Sequence, residues 1–312
     1  MDDLAIIVVS HNDADWLAPC LSSVLAARGE AAIDVVVADN GSDAAADRVE
    51  REFPGVRVLR LENRGFGHAN NEGLRTVDAR YVLFLNPDTE VVEGTFSQLL
   101  AALDERPGVG AAGVRQVGPD GALHLSIRRF PNALRALGEA LGGERLPFSA
   151  SWLGERERDP SVYDREVECD WTSGSFLLVR REALEAAGSF DERFFVYGEE
   201  PDLCLRIKRA GWSVRHLPVL TIVHHAGRAG IDPRLEAQNA YARLLHARKH
   251  FSPLHRRLFV AANSLRYALR AVVPDSGAPG RRLASRRALR TLLALEPPPF
   301  EAPARINGEG SR

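Results

Sequence analysis

Cysteine is scarce: Cys20, Cys169 and Cys204 are the three in 312 residues. They are too few and too scattered for a disulfide framework or a cysteine-rich zinc site, and they point to a reducing compartment, with the cytoplasm as the default. No apolar stretch reaches the roughly 18 residues that a membrane span needs. The apolar run at residues 4–9 follows two acids and lacks the basic region of a signal peptide, so neither export nor integral insertion is expected. Net charge is also nearly absent, with Lys+Arg 40 against Asp+Glu 42. Such a balance excludes a polyanion binder as a whole, and no nucleic-acid partner is expected. Lysine is almost missing, with Lys208 and Lys249 alone, so arginine carries nearly all the positive charge.

What is present is an ordinary globular composition, 45% hydrophobic and 26% charged. Residues 4–9, 33–38, 56–61 and 81–85 read as buried strands, and 16–27, 44–53 and 65–74 as the helices between them. Strand alternating with helix predicts an α/β fold with a mainly parallel sheet covered on both faces, whose ligands sit beyond the strand C-termini. Further on, 177–179 and 219–223 read as strands. Residues 182–187 read as a helix closed by Gly188, and 201–210 as one stopped by Gly211. From Pro233 the pattern is helical and increasingly basic, and the stretch 297–312, opening with three prolines, is expected to be a disordered tail.

The positions of the acids carry most of the functional information. Asp39 ends one apolar run and Asp88 another, so a parallel sheet would bring both into one crevice, where like charges need a cation or a hydrogen-bonding ligand. Asp88, in the turn Asn86-Pro87-Asp88, suits a hard divalent cation that also takes phosphate oxygens from its ligand; Asp39 suits a base or ribose. Both sequences serve equally well as plain Asx turns. Residues 63–71 form a glycine-punctuated loop opening a helix, where backbone amides and Arg64 would approach a phosphate, although glycines placed for packing would look the same. It is neither a Walker loop nor a dinucleotide fingerprint. Between 194 and 202, aromatics precede Glu199, Glu200 and Asp202 at a helix start. The helix dipole accounts for one such acid; two adjacent glutamates after a glycine turn are more than it needs, and one of them suits a general base. His224, ending the run 219–223, would join Asp88 in a metal site if the two strands are neighbours; by itself it is equally a structural histidine.

The ordered set Ile-Val-Val-Ser-His-Asn at 7–12, Val-Ala-Asp-Asn-Gly-Ser at 37–42, Asn-Arg-Gly-Phe-Gly at 63–67, Leu-Asn-Pro-Asp at 85–88, Trp-Thr-Ser-Gly-Ser at 171–175, Gly-Ser-Phe-Asp-Glu at 188–192, Phe-Phe-Val-Tyr-Gly-Glu-Glu-Pro-Asp at 194–202 and His-His-Ala-Gly at 224–227 resembles the family 2 glycosyltransferases, in particular their rhamnosyltransferase-like branch. The resemblance covers roughly residues 4–250. It implies an A-type, Rossmann-like glycosyltransferase fold, a nucleotide-diphosphate-sugar donor, Mg²⁺ or Mn²⁺, and inversion at the anomeric carbon. It also implies roles. Asp39 would hold the base or ribose beside Ser10 and Asn12, with Asn63, Arg64 and Gly65 facing the nucleotide. Asp88 would be the metal acid, with Asn86 replacing its usual partner acid, and His224 a further metal ligand or diphosphate contact. Trp171 and Gly174 would lie near the donor sugar or the acceptor, although Trp171 reads equally as core. The family usually shows Glu-Asp where this chain has Glu199-Glu200, and Glu200 is the expected base, with Glu199 the alternative.

The resulting expectation is a catalytic domain at 1–250, a basic helical extension at 251–296 and the tail at 297–312. The reaction expected is transfer of L-rhamnose from dTDP-rhamnose to a cell-envelope or exopolysaccharide glycan or a lipid-linked saccharide, with self-association left open. A UDP-sugar donor (galactofuranose, glucose or an N-acetylhexosamine) and a catalytically silent nucleotide-sugar binder are the alternatives. Nucleotidyl transfer fits less well, because 10–16 has no glycine and no lysine. The extension lies outside the resemblance: nine arginines and one acid fall between 251 and 290. A basic amphipathic helix with Leu258, Val260, Ala261, Leu265, Ala268 and Leu269 on one face would rest on anionic lipid or pack on the catalytic domain.

Overall fold

The computed structural model describes residues 2–41, 43–142, 152–225, 232–272 and 280–301. In chain order its strands are β1 (Asp2–Ser10), β2 (Ile33–Asp39), β3 (Arg57–Arg60), β4 (Ala79–Leu85), β5 (Thr89–Glu93), β6 (Val109–Val117), β7 (Ile127–Arg128), β8 (Val167–Cys169), β9 (Trp171–Thr172), β10 (Phe176–Arg180) and β11 (Ser213–His224). The helices are α1 (Ala14–Ala26), α2 (Asp43–Glu52), α3 (Phe66–Leu74), α4 (Phe96–Asp104), α5 (Ala133–Ala140), α6 (Arg181–Ala187), α7 (Glu199–Arg209), α8 (Pro233–His250), α9 (Pro253–Val272) and α10 (Arg281–Leu292).

The parallel strands β3-β2-β1-β4 are those expected from the apolar runs, each joined to the next by a helix. Ser10 pairs with Asp39 and Val8 with Leu85, so the polar turns after β1, β2 and β4 share one edge. Beyond β4 the sheet becomes mixed. The order continues β10-β6-β11-β5, with β10 antiparallel to both neighbours and β11 parallel to β6. The run expected at 219–223 is the end of the 12-residue strand β11. β7 and β9 pair as a separate small ribbon.

Successive residues of β1 point to opposite faces, and both faces are apolar. Leu4, Ile6 and Val8 meet Leu17 and Leu21 of α1 and Leu99 of α4, while Ala5, Ile7 and Val9 share a core with Leu203 and Ile207 of α7. Gly188 and Gly211 end α6 and α7 at positive φ, as their spacing predicted. β6 reads weakly in sequence because its glycines serve close packing: a side chain at Gly113 would collide with Thr172, and one at Gly110 with Trp212 and Ala183.

A separate helical layer is built by α5, α8, α9 and α10 around Leu244, Tyr267 and Leu292 and around Phe259 and Ala136. Phe259, Ala262, Asn263, Tyr267 and Ala271 are the buried residues of α9. Leu258, Ala261, Leu265, Ala268 and Leu269 face outward, and Val260 packs partly on the core. No described helix is long and apolar enough to cross a membrane. Of the stretch 297–312, residues 297–301 are described: the Phe300 ring stacks on Phe195 at 5.2 Å and lies under the Arg234 guanidinium. The remainder of that stretch, Ser42, and Ala226 and Gly227 of the His-His-Ala-Gly motif lie outside the described residues.

Candidate active site

Two cavities open along the C-terminal edge of the sheet. The first, of about 360 Å³, is lined among others by His11, Asn40, Asn63, Gly65, Asp88 and Phe195. Its walls are tied together by short polar contacts. His11 Nδ1 donates to the Asn40 carbonyl at 2.9 Å, and Asn40 Nδ2 donates to Asn63 Oδ1 at 3.0 Å. The Gly65 amide reaches the same Asn63 oxygen. Gly65 has φ near +105°, and a side chain there would strike the Phe195 backbone, so this glycine serves both the turn and the close crossing of the 195 loop.

The expected nucleotide residues are close together but not equally placed. Asn63, Gly65 and Asn86 line this cavity. Asp39 and Ser10 are buried immediately behind it, at the paired ends of β2 and β1, and it is Asn40 that forms the wall. Asn12 is exposed in the left-handed region, φ +61°, and Arg64 is half-buried beside the loop without forming part of the lining.

Asp88 and His224 do meet. Pairing of β11 with β5 sets His224 against Thr89, and His224 Nε2 comes within 3.4 Å of Asp88 Oδ1. The His225 amide donates to the Asp88 carbonyl at 2.9 Å, and the His225 ring contacts Glu90 at 2.7 Å. His124, which the sequence reading passed over, stands edge-on to His224 at 5.4 Å. Burial, followed by the proximity of His224, holds the His124 pKa below the usual histidine value and so favours its neutral imidazole. Among the described residues no cluster of three or more acids, histidines or cysteines could hold a metal by itself. One carboxylate and one imidazole nevertheless fit a divalent cation that takes its remaining ligands from a bound diphosphate.

The second cavity, of about 390 Å³, is lined among others by Asn86, Arg128, Trp171, Gly174, Glu200 and Arg243. Asn86 belongs to both cavities, held by its amide to the Ser175 carbonyl at 3.1 Å. Glu200 enters through a strained turn, with Tyr197 at φ +68° and Gly198 at φ +86° immediately before α7. Gly174 lies opposite it, where a side chain would displace the Glu200 carboxylate from its present position. Burial pushes the Glu200 pKa above the ordinary value; hydrogen bonds from backbone and the charge of Arg128 pull part of it back.

The three acids of the turn thus differ. Glu199 is 2% exposed, is absent from both cavity walls, and is pushed well above the usual carboxylate range by burial and by Glu200. Asp202 is fully buried on Lys249 (2.6 Å), His250 (2.7 Å) and Arg206 (2.9 Å). Burial works against its charge, yet His250, Arg206 and Lys249 bring its pKa down to about 2. Trp171 lines the cavity, fixed by its indole N–H on the Arg129 carbonyl. Arg128, Glu155 and Arg243 were not legible as site residues: Arg128 sits on a two-residue strand, and the other two come from segments with no motif. The extension contributes as well, through Arg266 of α9, which lines the cavity and pairs with Glu139 at 2.8 Å.

The description "Glycosyl transferase family 2" matches residues 5–186. The N-acetylglucosaminyl-diphospho-decaprenol L-rhamnosyltransferase of Mycobacterium tuberculosis is 34% identical over 249 residues, covering 74% of this chain and 79% of its own. The rhamnosyltransferase WbbL of Escherichia coli is 28% identical over 243 residues, covering 71% and 83%. Among solved structures, the mannosyltransferase PcManGT of Pyrobaculum calidifontis, in complex with GDP-Man and Mn²⁺, superimposes with a TM-score of 0.53 at 18% identity, covering 96% of this chain and 84% of that one. The likeness bears out the glycosyltransferase fold.

Proposed function

The chain belongs to glycosyl transferase family 2, and from that premise we propose that it transfers L-rhamnose from dTDP-L-rhamnose, with inversion, to a lipid-linked or glycan acceptor of the cell envelope. The rhamnosyl donor rests on the names of the relatives. The observation that carries the chemistry is the meeting of two cavities at Asn86, one holding Asp88 and the other Glu200. Single displacement needs the leaving diphosphate and the base on opposite sides of one carbon, and two cavities with a common wall supply that division.

In this reading Asn40 and Asn63 hold the nucleoside in the first cavity, backed by Asp39 and Ser10, with Asn12 and Arg64 at its rim. Asp88 and His224 hold Mg²⁺ or Mn²⁺. When bound, the cation offsets charge on the departing nucleoside diphosphate. Asn86, Trp171 and Gly174 shape the place where donor sugar and acceptor meet. Glu200 takes the proton of the acceptor hydroxyl, and its raised pKa makes it a stronger base than an exposed glutamate. Glu199 stays behind it, its charged form disfavoured by burial and by Glu200. No covalent nucleophile is needed.

The protein meets its acceptor at an anionic lipid surface through α9. The outward face of that helix is Pro253, Leu254, Leu258, Ala261, Leu265, Ala268, Leu269 and Val272, interrupted by Arg257 alone. Leu254 is 68% and Val272 71% exposed. Beside it α10 turns out Arg282, Arg286 and Arg290, one per helical turn, the last of them paired with Glu296 at 2.6 Å. Apolar residues to enter the acyl boundary and arginines for lipid phosphates are the pairing that interfacial helices use. Leu258→Asp/Leu265→Asp abolishes co-sedimentation with anionic vesicles if this is correct; a dimer lost in the same variant, with no vesicle binding by the parent, assigns the face to a second copy.

The test of the reaction is a panel of dTDP-rhamnose and UDP-sugars offered with a short-chain lipid-diphosphate sugar acceptor and Mg²⁺ or Mn²⁺. Rhamnosyl product of inverted configuration is expected. Product from a UDP-sugar alone replaces the donor, and nucleotide binding without turnover of any donor makes the protein a binding protein.

A further inference from the structure

Four arginines line the second cavity, and they are not alike. Arg243 is clamped to Glu155 at 2.5 Å and 3.0 Å and held on Asn263 at 2.8 Å, and Arg266 is paired with Glu139 at 2.8 Å. Arg128 and Arg156 are neighbours across an antiparallel bridge. Neither forms an ion pair with a described residue. Arg128 Nε is buried with no hydrogen-bond partner, and its guanidinium lies 5.5 Å from the Trp171 ring that lines the same cavity. Two adjacent guanidinium groups repel one another; Glu155 and Glu139 offset part of that charge without bonding to Arg128, Arg156 is exposed, and the buried Nε of Arg128 without a partner is costly unless a ligand completes it. Burial and the charge of Arg156 accordingly press the Arg128 pKa down to about 10. Planar guanidinium forks match phosphate oxygens, so the missing partner is an anion with several such oxygens. The proposed donor diphosphate is already accounted for in the other cavity, at Asp88.

We infer that Arg128 and Arg156 form a subsite for the diphosphate of a lipid-linked acceptor, set beside Glu200 so that the acceptor's sugar hydroxyl reaches the base. The inference rests on the glycosyl-transfer reading above and adds how the acceptor is held.

The test compares a short-chain alkyl-diphosphate sugar with the alkyl glycoside of the same sugar. Binding is measured by calorimetry on the full chain with dTDP and Mg²⁺ saturating the donor cavity, so the readout does not depend on turnover. The parent protein is expected to prefer the diphosphate compound, and Arg128→Gln/Arg156→Gln to lose about ten-fold or more of that affinity, as charge-assisted contacts predict, while its affinity for the glycoside and for dTDP holds. Equal affinity of parent and variant for the diphosphate compound overturns the subsite, as does displacement of dTDP by that compound, which would assign the arginines to the donor. In kinetics, Arg128→Gln raises KM for the diphosphate acceptor selectively. If Arg128 acted only on Glu200, the acid limb of kcat/KM would move upward equally for both acceptors, which contradicts the inference. Failure of the glycosyl-transfer reading would look different: no product from any donor, with the binding preference intact.

Discussion

The two halves of the sheet solve different problems with different chemistry. The parallel half, β3-β2-β1-β4, ends in short polar turns, and the polar wall of its cavity is asparagines, a histidine and the two acids Asp13 and Asp88, tied by backbone and amide hydrogen bonds. The mixed half and its helical layer wall their cavity with arginines and glutamates, most of them half-buried, with Arg243 paired to Glu155 and Arg266 to Glu139. Neutral hydrogen-bonding groups read a base and ribose at little electrostatic cost. A proton-taking carboxylate beside anionic ligands needs a tuned field, and buried charges supply one. The proposed function gives recognition of the donor to one half and handling of the acceptor to the other, in keeping with that difference.

The sharpest way to break that division is Glu200→Gln. A lost general base lowers kcat by about 10³-fold, and nucleotide affinity should be unchanged, because Glu200 lies outside the first cavity. Asp88→Ala comes next. It should reduce kcat/KM by about 10²-fold, as loss of a charge-neutralising cation implies, and abolish the dependence of nucleotide binding on Mg²⁺ or Mn²⁺. Titration of the metal against a fluorescent nucleotide checks this.

Stability separates the remaining two acids of the 194–202 turn. Asp202→Asn leaves Lys249, His250 and Arg206 facing a neutral amide in a buried site and should cost about 3 kcal/mol by denaturant unfolding at pH 7. Because the folded pKa is depressed to about 2, the parent's advantage is present above the ordinary aspartate value and fades as pH falls through the range from there to about 2. Glu199→Gln runs the opposite way. A folded pKa raised above the unfolded one contributes stability fully present below the ordinary glutamate value and lost as pH rises above it, so the parent carries a penalty at neutral pH. The variant should melt roughly 2 °C or more above the parent at pH 8, equally with it at pH 4, and retain nearly all activity. A melting point that falls at pH 8 would mean that Glu199 is charged and paired in the native state.

The same contrast explains what was legible. β1, β2 and β4 are continuous apolar runs buried on both faces, and the turns near their ends hold the motif residues, so that half of the fold, and the gathering of Asn63, Asn86 and Asp88 on one cavity wall, could be read directly. The place of Asn40 in the cavity wall was hidden, since Asp39 beside it is the more conspicuous residue and yet sits behind the wall. β6 was hidden by Val109-Gly110-Ala111-Ala112-Gly113, small residues chosen by close contacts with Thr172 and Trp212 that no periodicity reports. Arg128 and Arg156 meet through a bridge between segments far apart in sequence, and only the tertiary fold makes them neighbours. The aromatic pair of Phe300 with Phe195 was invisible for the same reason, in a stretch whose prolines read as a tail.

The most direct test of the central claim is the melting shift produced by dTDP with Mn²⁺ in the parent, Asp88→Ala and Glu200→Gln proteins, since a ligand that binds only the native state raises its melting temperature. The division of labour predicts a shift in the parent, the same shift in Glu200→Gln, and none in Asp88→Ala. A shift lost in Glu200→Gln and kept in Asp88→Ala would place the nucleotide in the second cavity and contradict the account.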